Sequence, residues 1–370
     1  MKFSCIALAG AVLQLAHAGP VNKRAEGVTD ADILNYALTL EHLEASFYEQ
    51  GLSNYTKQDF LDAGMTESFY NNLMSVAMDE KAHEDFLTQA LAQAGAKPVE
   101  RCTYAFPSTD VKSFLALGTI LEGVGVSAYL GAAASIMDKA YLTAAGSILT
   151  VEARHSAYLR AALGESPSPQ PFDNPLDFNE VYTVASPFIA SCPSSNAALP
   201  VKAFPSLTMS SMNAVSAGQQ VELTAGEGFT SMNTTDLHAA FITVTGPVWA
   251  KAMPAGEGKW TVTVPMGVAG QSYVVLTNGD KQATDDNIVA GPAIIEISPM
   301  RMSMSMSGSA MPAPTMSWAM GAGSVSWSLM ASMTASPTPS APVFTGAAGS
   351  VTASVGGVVG AVAAVAGFFL

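Results

Sequence analysis

The chain has 370 residues, with 30 Asp and Glu against 16 Lys and Arg and a formal charge of −14 at pH 7. That balance argues against nucleic acid or anionic membrane surfaces as partners. The length suffices for two domains plus tails, and the acid is concentrated: residues 25–200 hold 22 acidic against 8 basic side chains, whereas residues 302–370 hold no charged side chain.

The N-terminus reads as a secretory signal peptide over 1–18: Lys2, an apolar run from Phe3 to Ala16, and the small-x-small site Ala16-His17-Ala18. The run is too short to span a bilayer. Lys23-Arg24 follows as a dibasic processing site, so residues 19–24 read as a short pro-segment. Cys5 leaves with the signal. Cys102 and Cys192 remain as an even pair in an oxidising compartment, which predicts a disulfide closing most of the first domain. Two sequons, at Asn54 and Asn233, fall in predicted loops and are expected to be glycosylated.

Apolar residues spaced three and four apart predict four long helices, at about 30–51, 66–94, 109–136 and 139–164, with a short fifth at about 177–190 interrupted at Pro187. Thr29 or Asp30 is placed to cap the first and Ser108 or Thr109 the third, while Gly95 and Gly164 stand where helices end. This is an all-α bundle over 25–196. Its apolar stripes carry an unusual cargo. The third-from-last and last long helices and their partners present Glu41, then Glu80-x-x-His83, then Glu122, then Glu152-x-x-His155. Residues three apart share a helical face, and at about 1.5 Å per residue Glu80, Glu122 and Glu152 fall at matching depths.

One Glu from each of two helices and one Glu-x-x-His from each of the other two is the ligand inventory of a di-metal carboxylate bundle. Carboxylate oxygen and imidazole nitrogen suit iron or manganese. Four buried carboxylates without cations would be strongly unfavourable. The predicted ligands are Glu41, Glu80, His83, Glu122, Glu152 and His155, holding two Fe or Mn ions. Glu44, three residues after Glu41, is the alternative on the first helix or a supporting group. His42 and Glu84 sit near the motif but off its best face. Tyr48 and Tyr129 each follow a glutamate by seven residues, on the same face. They either hydrogen-bond a ligand, carry an electron, or simply fill the core.

From 200 to 298 short β-branched runs separated by Gly, Pro and Asn-Gly turns predict a small β-sandwich of about seven strands, loosely immunoglobulin-like. It holds a single histidine, His238, and no catalytic constellation. Residues 299–345, rich in Met, Ser, Ala, Pro and Thr, read as a low-complexity, O-glycosylated stalk. Its alternating Met300, Met302, Met304 and Met306, followed by Met311, Met316 and Met320, offer soft thioethers to copper, although stalk composition explains them more simply. Residues 346–370 read as a GPI-attachment signal with Gly346 as the attachment residue, the alternative being a tail anchor. The protein is thus expected at the cell surface or wall.

The stretches NYALTLEHLEASFYEQG, MDEKAHEDF and LTVEARHSAYLR resemble the ferritin-like superfamily. More narrowly, residues 30–192 resemble the fungal ferritin-like family linked to stress response and late sexual development, akin to plant desiccation-related proteins. The resemblance implies iron storage, oxidase or peroxidase chemistry, or a bundle kept for other ends; fold alone does not choose. Three functions follow: a di-metal oxidoreductase acting on oxygen or peroxide, a non-enzymatic structural or adhesive wall protein, or copper handling by the stalk.

Overall fold

Thr29 starts the fold. Its hydroxyl accepts the Asp32 backbone N–H at 3.2 Å, and the Asp32 carboxylate accepts the Thr29 N–H at 2.7 Å. This capping box opens α1, Asp30–Asn54. The computed structural model describes residues 28–210, 213–230 and 236–299. The expected signal and pro-segment, the Asn233 sequon, the methionines weighed as a copper site and the terminal segment with Gly346 lie outside the described residues.

A second capping box, Thr56 with Asp59, opens a short helix α2, Lys57–Asp62, that apolar spacing did not announce. Six residues are too few to show a period. The Asn54 sequon accordingly lies not in a loop but at the last residue of α1, with Thr56 engaged as the α2 cap. Helix α3, Glu67–Gln93, returns along α1, so that Leu34 and Leu38 meet Leu87 and Leu91 at one end of the bundle. Gly95, at φ +72°, ends that helix.

The chain then travels the length of the bundle beside α1. Val99 N–H donates to Asn35 Oδ1 at 2.9 Å, the Val99 carbonyl meets His42 Nε2 at 3.0 Å, Arg101 reaches Glu49 at 2.7 Å, and Tyr55 O–H donates to Ser108 Oγ at 3.3 Å. This crossover holds strand β1, Thr103–Tyr104. It delivers α4, Val111–Ala132, antiparallel to α1. The α4 cap is Asp110, which accepts the Ser113 N–H at 2.7 Å, rather than Ser108 or Thr109. Helix α5, Lys139–Ala162, runs back along α4. A Pro-rich turn leads to α6, Phe178–Ala185. The predicted fifth helix is therefore shorter than 177–190: a 3₁₀ turn containing Pro187 ends it, and Ile189–Ser191 form β2, which pairs with β1. The Cys102–Cys192 disulfide closes that pairing across 90 residues. Leu43, Phe47, Leu73, Phe114, Leu115 and Leu159 fill the bundle core. Helix α4 is long and apolar enough to cross a membrane by composition, yet it is the buried core helix here.

The second half is a seven-stranded antiparallel sheet: β3 Leu207–Met209, β4 Gln220–Ala225, β5 Leu237–Phe241, β6 Val248–Gly256, β7 Lys259–Thr263, β8 Gly270–Asn278 and β9 Ile288–Ile297. The spatial order is β3-β4-β7-β6-β5-β8-β9. Strand β6 serves both halves, pairing β5 through Val248–Lys251 and β7 through Ala252–Gly256. Trp260, Phe241, Leu223, Val274 and Ile295 meet inside. The outer face of β8 packs on the bundle. Tyr273 O–H donates to the Gly123 carbonyl at 2.9 Å, Gln271 Nε2 donates to the Ile120 carbonyl at 3.1 Å, and Arg160 of α5 forks onto Glu296 of β9 at 2.9 and 2.6 Å.

Candidate metal centre

Four helices bring the six predicted side chains to one level. Glu41, Glu80, Glu122 and Glu152 are essentially inaccessible, at 0–1% exposure, and His83 and His155 are buried. They form two overlapping groups. Donor atoms of Glu41, Glu80, His83 and Glu152 all lie within 4.8 Å of one another, and so do those of Glu80, Glu122, Glu152 and His155. Glu80 and Glu152 belong to both. The arrangement has an approximate two-fold: α1 and α3 contribute Glu41 and Glu80-x-x-His83, and α4 and α5 contribute Glu122 and Glu152-x-x-His155.

Both histidines face inward through Nδ1. His83 Nδ1 is 3.0 Å from Glu152, 3.4 Å from Glu41 and 3.5 Å from Glu80. His155 Nδ1 is 2.8 Å from Glu80 and 3.4 Å from Glu122. On its outer side, His155 Nε2 lies 3.3 Å from Asp79 Oδ2. A carboxylate there fixes ring orientation and raises the basicity of a metal-ligating imidazole. Asp79 escaped the sequence reading because its partner is 76 residues away and nothing local announces the pair.

The tyrosines cross. Tyr129 of α4 donates to Glu41 Oε1 of α1 at 2.5 Å, and Tyr48 of α1 donates to Glu122 Oε1 of α4. Each thus holds the glutamate of the opposite helix rather than the one seven residues before it. One oxygen of each terminal glutamate is satisfied, and the other turns to the centre. There, Glu41 Oε2, both oxygens of Glu80 and Glu152, Glu122 Oε2 and both Nδ1 atoms are buried without a hydrogen-bond partner. Such orphaned groups need a counterpart, and a pair of cations between them would supply one. The donors, four carboxylates and two imidazoles, suit iron or manganese.

Without cations these carboxylates cannot all ionise. Burial pushes Glu41 up to about 7, against the pull of His83. Burial and the Glu80 charge hold Glu152 well above the ordinary range and raise Glu122. Burial opposes ionisation of Glu80 too, but His155 and His83 overcome it and keep that carboxyl below its ordinary value. Burial likewise works against a charged His155, yet Glu122 and Glu80 raise it to about 11. The same carboxylates raise His83 further. A metal would displace these protons, as ligation requires.

Glu44 enters the core beside the cluster but belongs to neither group of four. Burial and then the Glu152 charge push its carboxyl well up. His42 and Glu84 are buried and engaged with each other, Nδ1 to Oε1 at 3.0 Å, and Glu84 is forked by Arg101. They brace the crossover against α1 and α3 and take no part in the cluster. Space for the cluster comes partly from Gly125, where a Cβ would lie 2.8 Å from Glu44 Oε1 and 3.4 Å from Glu152 Oε2.

Residues 29–165 match the family model described as the ferritin-like domain. This segment is a ferritin-like domain. The chain is also 26% identical over 178 residues to Protein rds1 of Schizosaccharomyces pombe. That alignment covers 48% of this chain and 44% of the relative, so the chain spans under half the length of the curated relative it matches. The six buried donors all lie within the matched segment, and the sheet domain from Leu207 onward lies beyond it.

Proposed function

We propose that the ferritin-like domain holds two iron or manganese ions and acts as a di-metal oxidoreductase toward dioxygen or peroxide. Glu80 and Glu152, which belong to both donor groups, would serve both ions, with Glu41 and His83 holding one and Glu122 and His155 the other. The observation that carries this is the membership of Glu80 and Glu152 in both four-residue groups, with all four of their oxygens buried and facing only the two imidazoles, without a hydrogen bond of good geometry. Bound iron or manganese would supply the redox chemistry. The chain's own part is to fix the donors: Tyr129 and Tyr48 lock Glu41 and Glu122, Asp79 orients His155, and the apolar bundle excludes water.

Elemental analysis of the purified protein tests the reading. About two metal ions per chain are expected, with both lost from Glu80→Ala and from Glu152→Ala. A metal-free wild type under iron- and manganese-replete expression would instead favour an inert structural or adhesive bundle. Further, we place the protein at the cell surface, secreted and held by a lipid anchor, in stress response or sexual development. The Cys102–Cys192 disulfide supports an oxidising compartment, and the family resemblance of the helical stretches supports the setting. Release from intact cells by a phosphatidylinositol-specific phospholipase checks the anchor.

A further inference from the structure

A small apolar pocket lies at the end of the bundle where α1 begins and α3 ends. Its volume is about 30 Å³. Leu40, Leu87 and Tyr129 form its inner end, and Phe86, Tyr141 and Ala144 its outer end. The inner end adjoins the carboxylate cluster: Leu40 precedes Glu41, Leu87 stands one turn beyond His83, and Tyr129 donates to Glu41. The outer end reaches the surface, with Phe86 38% exposed and Ala144 half-buried.

The chemistry of the walls selects the occupant. By the same measure, roughly 10–15 Å³ holds one water, and a water also needs two to four polar partners. The walls are aliphatic and aromatic, and two of the tyrosine hydroxyls are already committed, Tyr36 to the Phe178 carbonyl and Tyr129 to Glu41. Apolar cavities of this kind stay dry and take up small apolar molecules. Peroxide would forfeit its hydrogen bonds on entering.

We propose that this pocket binds dioxygen and conducts it to the metal cluster, with Phe86 as the outer gate. The proposal rests on the di-metal reading above and assigns its oxidant as dioxygen rather than peroxide. Xenon is the probe, applied under pressure to the metal-free full-length protein and located by anomalous scattering or xenon NMR. One xenon site is expected between Leu40, Leu87 and Tyr129, and Ala144→Leu should remove it. In the protein charged with ferrous iron, Ala144→Leu should slow dioxygen uptake several-fold, with metal content and peroxide-driven oxidation unchanged. Phe86→Ala, at a position 38% exposed and with folding checked by circular dichroism, should accelerate uptake.

Absence of a xenon site in the wild type overturns the proposal. So does an unchanged dioxygen rate in Ala144→Leu once its xenon site is gone, or in Phe86→Ala if Ala144→Leu does not fold. A wild type that binds xenon but takes up no metal overturns the di-metal reading and the delivery role, leaving only an apolar cavity. The two failures are therefore separable.

Discussion

Stripped of cations, the protein should become less stable as pH rises from about 5 to 7.5. The cause is the carboxylate cluster. Glu41 titrates near 4.5 in the unfolded chain, and burial raises it to about 7 in the fold. Between those values the native state binds more protons than the unfolded state, so stability falls with pH. A raised folded value means that the contribution is complete below 4.5 and is lost as pH climbs through 7. At about 1.4 kcal/mol per pH unit, Glu41 alone removes about 3 kcal/mol over that interval. Glu152 and Glu44, also raised, act in the same direction. His155 adds to the trend above 6.5, since its folded value is about 11. Glu80, which is lowered, opposes it only below 4.5. For a folded unit of this size the melting temperature should fall by roughly 5–10 °C. Thermal unfolding followed by circular dichroism in chelator, at both pH values, measures this. Metal-loaded protein should show no such fall, and Glu41→Gln should flatten the metal-free curve. A metal-free melting temperature that holds steady or rises over this range would refute the account of the cluster.

Tyr129→Phe strands Glu41 Oε1 without its donor and should cost about 1–3 kcal/mol; metal affinity should weaken about 10–100-fold, read by competition with a chelator. Tyr48→Phe should do the same through Glu122. Gly125→Ala pushes a methyl against Glu44 and Glu152 and should destabilise by about 1–3 kcal/mol in urea unfolding. Because the clash is with Glu44 at 2.8 Å, adding Glu44→Ala should recover part of that loss, a non-additivity that a double-mutant cycle detects. Reduction of Cys102–Cys192, or Cys192→Ser, opens a loop of 90 residues and should cost about 4–5 kcal/mol in denaturant titration.

The buried layer of carboxylates and histidines was readable because its grammar is local. Glu-x-x-His on an apolar stripe fixes two donors on one helical face, and repeating the pattern on a second helix, with a stripe glutamate on each of two others, leaves few alternatives. The partners across the core were not readable. Tyr48 serves Glu122 and Tyr129 serves Glu41, across 74 and 88 residues. Seven-residue spacing found both tyrosines but could not say that they exchange glutamates. Nor could spacing choose between Glu41 and Glu44, since both turn inward; the choice is made by His83, which approaches Glu41 from α3. Helix α2 and the β1–β2 pairing were invisible because pieces of two to six residues carry no period.

The docking of the sheet on the bundle was equally silent, and helix α4 shows why the two halves constrain each other. Glycine weakens a helix by about 1 kcal/mol relative to alanine, yet α4 carries glycine at both 123 and 125. Two residues apart, they occupy different faces. At Gly125 a Cβ would crowd Glu44 and Glu152 in the core, while at Gly123 it would lie 2.5 Å from the Gln271 side chain of β8. One glycine makes room for the carboxylates and the other for the sheet domain, on either side of Glu122. By propensity alone, the two glycines of LEGVGVSAY weaken the helix that apolar spacing predicts there. In the fold, that weakness is the space in which a buried carboxylate cluster and a second domain both close on the turn that carries Glu122.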